Sequence, residues 1–207
     1  MIGIVDYGSG NIQAIANIYK KLNISHKIIS NPDDLFLANR LILPGVGSFD
    51  ETMKELINSG LKLKLDDLVM NKNIPVLGIC VGMQIMSNES EEGNLPGLGW
   101  IEGKVKKFDI SKMSEKPFIP HMGWNKIFRC EENSIFNGID NDIGFYFVHS
   151  YFFECKNKNN QLSSTFYGIE FSSSIFKNNI YGTQFHPEKS HGNGVKLLYN
   201  FATMKLC

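Results

Sequence analysis

The sequence predicts an α/β fold: a mainly parallel central sheet in the first half, with an added mixed, antiparallel β region in the second. Three observations predict it. From Ile2 to Met86, short apolar runs alternate with amphipathic helical patterns, the order that builds a parallel sheet covered by helices on both faces. Beyond the polar stretch 88–94 the pattern changes to alternating, aromatic-rich runs separated by Asn-rich turns, which is how antiparallel strands read. Finally, the glycine-bearing loops at 8–10, 45–47 and 78–82 each follow a strand, where open α/β sheets place their sites.

In chain order, Ile2 to Val5 is the first strand and Asp6 to Gly10 the turn after it. Asn11 is positioned as N-cap of a helix carrying Ile12, Ile15, Ala16, Tyr19 and Leu22 on one face. Gly8-x-Gly10 invites a dinucleotide-binding loop, but Gln13 stands where the third glycine would let helix and strand touch, so that reading fails. His26 to Ile29 is a second strand, Asn31 to Leu35 a turn or short helix, and Arg40 to Leu43 a third strand ending at Pro44. Gly45-Val46-Gly47-Ser48 follows, either as an ordinary glycine-rich turn or as backbone that a ligand can approach closely. Asp50 to Asn58 and Leu61 to Asn71 read as amphipathic helices, Ile74 to Leu77 as a buried strand, and Met83 to Met86 as a helix start. In the second half, 103–108, 124–128, 144–153, 163–167, 170–176 and 180–185 read as strands, with hairpin turns at 156–160 and 177–179. Residues 192–204, with Val195, Leu198 and Phe201 at helical spacing, close the fold.

A chain of 207 residues with 43% hydrophobic and 20% charged content fits one domain, 1–207. Its 21 basic residues balance 21 acidic ones, so no net field draws it to nucleic acid or a membrane surface. The N-terminus has no basic leader and only a short apolar run before Asp6, so the expected location is the cytoplasm. Cys80, Cys130, Cys155 and Cys207 are widely separated, and the five histidines show no metal-ligand spacing. No disulfide framework, metal or cofactor is expected.

The chemistry concentrates at Gly78-Ile79-Cys80-Val81-Gly82. A strand, a sharp turn and a helix start, with small residues two before and two after the cysteine, make a nucleophile elbow with sulfur in place of oxygen. A thiol at a helix N-terminus is biased toward thiolate, and the N–H of Val81 would face a developing oxyanion. A buried cysteine packed between two glycines is the other reading of this stretch. The partners come from Gln184-Phe185-His186-Pro187-Glu188: in extended chain, residues two apart point the same way, so Glu188 can fix the tautomer of His186. Alone these two would pass for a pair at a strand end. With the cysteine they supply nucleophile, base and orienter for acyl transfer.

These motifs, together with Pro44-Gly45-Val46-Gly47, resemble the catalytic motifs and oxyanion strand of class I, triad-type glutamine amidotransferases over nearly the whole chain. The resemblance implies that family's flavodoxin-like three-layer fold. It also implies that Cys80 attacks the glutamine side-chain amide, His186 moves protons and Glu188 orients His186. The oxyanion would be held by Val81 and by backbone at Val46 or Gly47, and Gln84, Ser150 and Tyr151 would hold glutamine. Within the family, Asp6 to Asn11, Pro120 to Asn125, Phe147 to Tyr151 and His186 to Ser190 look like the glutaminase-subunit branch of imidazole glycerol phosphate synthases. That implies a heterodimer with a TIM-barrel, HisF-like cyclase subunit that receives ammonia for histidine biosynthesis. His121, Gly123, Trp124, Asn125, Tyr146 and Lys189 would lie on the docking side. Paralogous glutaminase subunits feeding surface-sugar amidotransferases are the alternative. A non-catalytic regulatory subunit is the reading of a different class, against which the presence of all three triad residues argues.

Overall fold

The computed structural model describes residues 1–112, 118–130 and 132–205, so Cys207 lies outside the described residues. The first half runs β1 (Ile2–Val5), α1 (Ile12–Lys21), β2 (His26–Ile29), β3 (Arg40–Gly45), α2 (Phe49–Asn58), α3 (Lys62–Asp66), β4 (Val76–Cys80) and α4 (Val81–Gln84). The second half runs β5 (Glu89–Ser90), β6 (Gly103–Lys107), β7 (His121–Asn125), β8 (Phe128–Arg129), β9 (Phe145–His149), β10 (Tyr151–Cys155), β11 (Gln161–Tyr167), β12 (Ile169–Lys177), β13 (Ile180–Thr183) and α5 (His191–Thr203).

The main sheet has the order β2-β1-β3-β4-β13-β12-β11-β8. Its β2-β1-β3-β4-β13 part is parallel and the remainder antiparallel. Strands β1, β3 and β4 are buried along their whole length, as a sheet covered on both faces requires. Helix α1 turns Ile15, Ala16 and Tyr19 inward, and Tyr19 Oη donates to Leu198 O at 3.2 Å, tying α1 to α5. The result is a three-layer α/β architecture with a mixed sheet. No helix among the described residues is long and apolar enough to cross a membrane.

Several boundaries differ from the sequence expectation, and long-range pairing explains most of them. The run 61–71 divides into α3 and a π-helical turn, Asp67–Asn71, on which Leu68 and Val69 are buried. The run expected at 124–128 begins at His121 and breaks at Lys126, because β7 pairs with β9 whereas β8 joins β11 in the main sheet. Likewise 144–153 is two strands, broken at Ser150: β9 stays with β7, and β10 crosses to a three-stranded sheet with β6 and β5. Residues 156–160 are consequently not a hairpin turn, since β10 and β11 lie in different sheets, while 177–179 joins the paired strands β12 and β13.

Candidate active site

Three glycines interlock around Cys80. A Cβ on Gly82 would stand 1.9 Å from Leu43 O, one on Gly45 2.4 Å from Gly82 N, and one on Gly78 2.7 Å from Gly82 O. The ends of β3, β4 and α4 thus meet backbone to backbone. Cys80 takes φ 55°, ψ −112°, a conformation that costs a non-glycine residue about 1–3 kcal/mol and is found at functional turns. The side chain is 4% exposed. The helix that follows is one turn long, starting at Val81 rather than at Met83, so the macrodipole expected to favour thiolate is small.

On the same pocket wall as Cys80 stands His186. Its backbone N–H donates to Tyr146 O at 2.9 Å, Phe185 packs at 3.9 Å between ring centroids on Phe145, and Ser190 Oγ donates to His186 O at 2.6 Å. The imidazole Nδ1 lies 2.8 Å from Glu188 Oε1. Glu188 reaches it across a 3-10 turn, Pro187–Lys189, rather than along extended chain. Burial opposes the imidazolium, but hydrogen bonding and charge from Cys80, then from Glu188, outweigh it and raise His186 to about 10. Glu188 is pushed upward by burial, yet the bonds from His186 and Asn11 win and hold it below the usual carboxylate range. Asn11 has the N-cap position of α1, but its side chain makes no capping bond. Its Nδ2 donates instead to Glu188 Oε1 at 2.8 Å. The arrangement suits a thiolate–imidazolium pair with an oriented proton carrier.

The loop after β3 is held by the loop after β1. Ser9 Oγ accepts from Val46 N–H and donates to Val46 O, both at 2.9 Å, and Tyr7 Oη donates to Pro44 O. The expected donor at Val46 is therefore spent on Ser9. Gly47 follows at φ 102°, and because the peptide is trans its N–H points opposite to the Val46 carbonyl that Ser9 holds.

A pocket of about 430 Å³ brings together Val46, Gly47, Cys80, Val81, Gln84, Ser150, Tyr151, His186 and Lys189, with Glu92 and His149 also on its wall. Gln84 Nε2 donates to Tyr151 O at 2.9 Å and to Gln184 Oε1 at 3.0 Å, which leaves its own Oε1 for a ligand. Glu92 was not singled out from sequence, where it sits in a run of polar residues. In the fold its Oε2 accepts from Phe49 N–H at 2.8 Å, and burial raises its pKa despite that bond. On that wall His149 Nδ1 lies 2.8 Å from Tyr151 O, a carbonyl that can only accept, so Nδ1 carries the proton. Burial, and for His149 also the charge of His121, pushes His121 down to about 4 and His149 to about 3. The neutral His149 Nε2 then accepts from His121 Nδ1 at 3.0 Å, and His121 Nε2 from Asn125 Nδ2 at 3.3 Å.

The residues expected to face a partner divide. Alternation along β7 turns His121 inward, 2% exposed and stacked on Phe147 and Tyr167, so its imidazole serves the interior rather than a docking surface. Trp124, 44% exposed, faces outward beside Met122, 61% exposed and absent from the expected set. Trp124 pairs across the ribbon with Tyr146 and Gly123 with Phe147. Asn125 Nδ2 also donates to Phe166 O at 3.0 Å. Lys189 is exposed, its Nζ 5.8 Å from the centroid of the Tyr146 ring.

Residues 3–204 match the model of the glutamine amidotransferase class-I family. The chain is 48% identical over 204 residues to the imidazole glycerol phosphate synthase subunit HisH of Leptospira borgpetersenii, covering 99% of this chain and 100% of that protein. It is 50% identical over 202 residues to the HisH subunit of Bdellovibrio bacteriovorus, covering 98% and 99%. Among solved structures, that of PurLQS from Thermotoga maritima shares the fold with a TM-score of 0.67 at 16% identity, covering 97% of this chain and 96% of that one. A mixed α/β sheet, a strained cysteine elbow at the C-terminal end of its interior strand β4 and a family match spanning almost every residue converge on one conclusion: this chain belongs to the class I glutamine amidotransferases.

Proposed function

We propose that residues 1–207 form a single-domain, cytoplasmic glutaminase subunit of imidazole glycerol phosphate synthase, using Cys80, His186 and Glu188 as its triad. The observation that carries this is the convergence on one pocket wall of the Cys80 elbow and His186, itself 2.8 Å from Glu188. The near full-length likeness to proteins named HisH supports the pathway.

In this reading the Cys80 thiol gives its proton to His186, and the thiolate attacks Cδ of the glutamine side chain. The oxyanion lies against the N–H groups of Val81 and Gly47. His186 then protonates the leaving amine, ammonia departs, and a glutamyl thioester remains. Water, deprotonated by His186, hydrolyses it to glutamate. Glu188 keeps the imidazole in the reactive tautomer and stabilises its charged form. Gln84, Ser150 and Tyr151 hold the substrate, and Glu92 is the carboxylate on this wall suited to its α-ammonium group. Ammonia passes to a HisF-like TIM-barrel cyclase docked at the face that carries Trp124, Tyr146 and Lys189.

The test is Cys80→Ala assayed with the cyclase. Glutamine-dependent synthesis should vanish while synthesis from an ammonium salt persists, and residual glutamine-dependent product would remove Cys80 as nucleophile. The pathway is tested separately by rescue of a histidine auxotroph lacking both subunits. Failure there, with glutaminase activity intact beside another partner, would move the chain to the surface-sugar branch.

A further inference from the structure

Cys80 has a second polar neighbour that the triad does not use. Gln184 is fully buried, at 0% exposure, and its Nε2 lies 3.7 Å from Cys80 Sγ. Its place follows from the sheet. Strand β13 runs parallel to β4 with Thr183 opposite Ile79, so the next residue of each chain, Gln184 and Cys80, leave the sheet side by side. Strand β13 ends at Thr183 and the chain bends at Gln184 and Phe185; the bend keeps Gln184 beside the sulfur and His186 on the same pocket wall as Cys80 while Phe185 turns into the core, 0% exposed. One segment thus supplies both Gln184, in contact with the sulfur, and His186, on the same pocket wall two residues on.

The orientation of the Gln184 amide is set by its neighbours. Tyr151 O can only accept, so the Gln84 atom bonded to it is nitrogen; the Gln184 atom that meets this nitrogen at 3.0 Å must be oxygen. Gln184 therefore turns its NH₂ toward Cys80 and has only donors to offer the sulfur. A donor favours thiolate over thiol. Packing alone would be served at lower cost by an apolar side chain, because a buried amide is tolerated only when both ends are bonded.

Building on the triad reading above, we propose that Gln184 is a further catalytic residue: it donates through Nε2 to the Cys80 thiolate, fixing the sulfur's charge and position, while its Oε1 couples that grip to the substrate-holding Gln84. Two donors, His186 on one side and Gln184 on the other, then hold the sulfur. Substrate bound at Gln84 is in register with the nucleophile through one shared amide.

The experiment is alkylation of the full chain by iodoacetamide across pH, with labelling at Cys80 and at the exposed Cys130 read separately by peptide mass spectrometry. Gln184→Met keeps the bulk and removes the donor. Gln184→Glu keeps an oxygen for Gln84 but opposes the thiolate with a carboxylate, and either variant that melts like wild type decides the matter. In Gln184→Met the half-labelling pH of Cys80 should rise by about one unit, an about tenfold loss of thiolate at fixed pH, and in Gln184→Glu by more. Cys130 should titrate unchanged in both. Wild-type labelling at Cys80 in a folded variant would overturn the proposal and leave Gln184 as a brace for Gln84 alone. The triad reading fails by a different result: wild-type chain alkylated at Cys80 that still hydrolyses glutamine beside its partner.

Discussion

Asn11 Nδ2 and His186 Nδ1 both bond, at 2.8 Å each, to the same oxygen of Glu188, Oε1. Oε2 is buried without a partner among the described residues. The carboxylate is thus aimed through one oxygen, and the start of α1 is linked to the far end of the chain at the site. Asn11→Ala should lower glutamine turnover about tenfold, the worth of one hydrogen bond to a charged group, while ammonium-dependent synthesis stays intact. Glu188→Gln should retain more activity than His186→Ala, since an orienter contributes less than the base itself. Steady-state glutamate formation in the complex with the cyclase checks both. Wild-type turnover by Asn11→Ala would leave the bond with a structural role only.

Ser9 holds both polar groups of Val46, and the proposed mechanism accordingly gives the oxyanion to the Gly47 N–H. Ser9→Ala should loosen that loop and reduce the glutaminase turnover number about tenfold, less than the ~10²–10³ lost when an oxyanion donor is removed outright. The Michaelis constant for glutamine should change little, because the donor acts on the transition state. A change confined to the Michaelis constant would place Ser9 in substrate binding.

The neutral His121–His149 pair makes stability fall in acid. Both folded-state values lie below the ordinary 6.5, at about 4 and about 3, so the unfolded chain binds more protons as pH drops below about 6.5. Each pH unit below that withdraws about 1.4 kcal/mol per histidine until its folded value is reached. His186 has the opposite sign: raised to about 10, its contribution is fully present below 6.5 and is lost as pH rises through about 10. Unfolding free energy measured between pH 7 and pH 5 should therefore fall steeply, and His121→Gln should flatten the slope. An identical slope in the variant would show that other groups carry the acid sensitivity.

Met122 and Trp124 stand outward on β7, with Lys189 over the neighbouring Tyr146 ring. If the cyclase docks here, Met122→Asp should raise the dissociation constant at least tenfold by burying a charge, and Lys189→Ala should raise it about tenfold, equal to about 1.4 kcal/mol. Titration calorimetry with the purified cyclase measures both. Wild-type affinity in the pair of variants would move the interface elsewhere.

By itself the sequence determined what is local. Apolar runs of period two or 3.6 located nearly every strand and helix of the first half, and Gly78, Cys80 and Gly82 announced a turn whose glycines do stand where a Cβ would strike backbone. His186 and Glu188 were legible because two residues separate too little in sequence to lose each other in space. Tertiary structure decided the rest. The inward face of β7, and with it the burial of His121 and the exposure of Met122, depends on the phase of its pairing with β9; with a side-chain period of two, a shift of one residue would exchange them. The breaks at Lys126 and Ser150 exist because consecutive strands join different sheets, which no local pattern records. Asn11 on Glu188, Ser9 on Val46 and Gln184 on Cys80 span 177, 37 and 104 residues. Only a folded sheet brings such pairs together, because a hydrogen bond is set by position in space and its partners need no pattern along the chain.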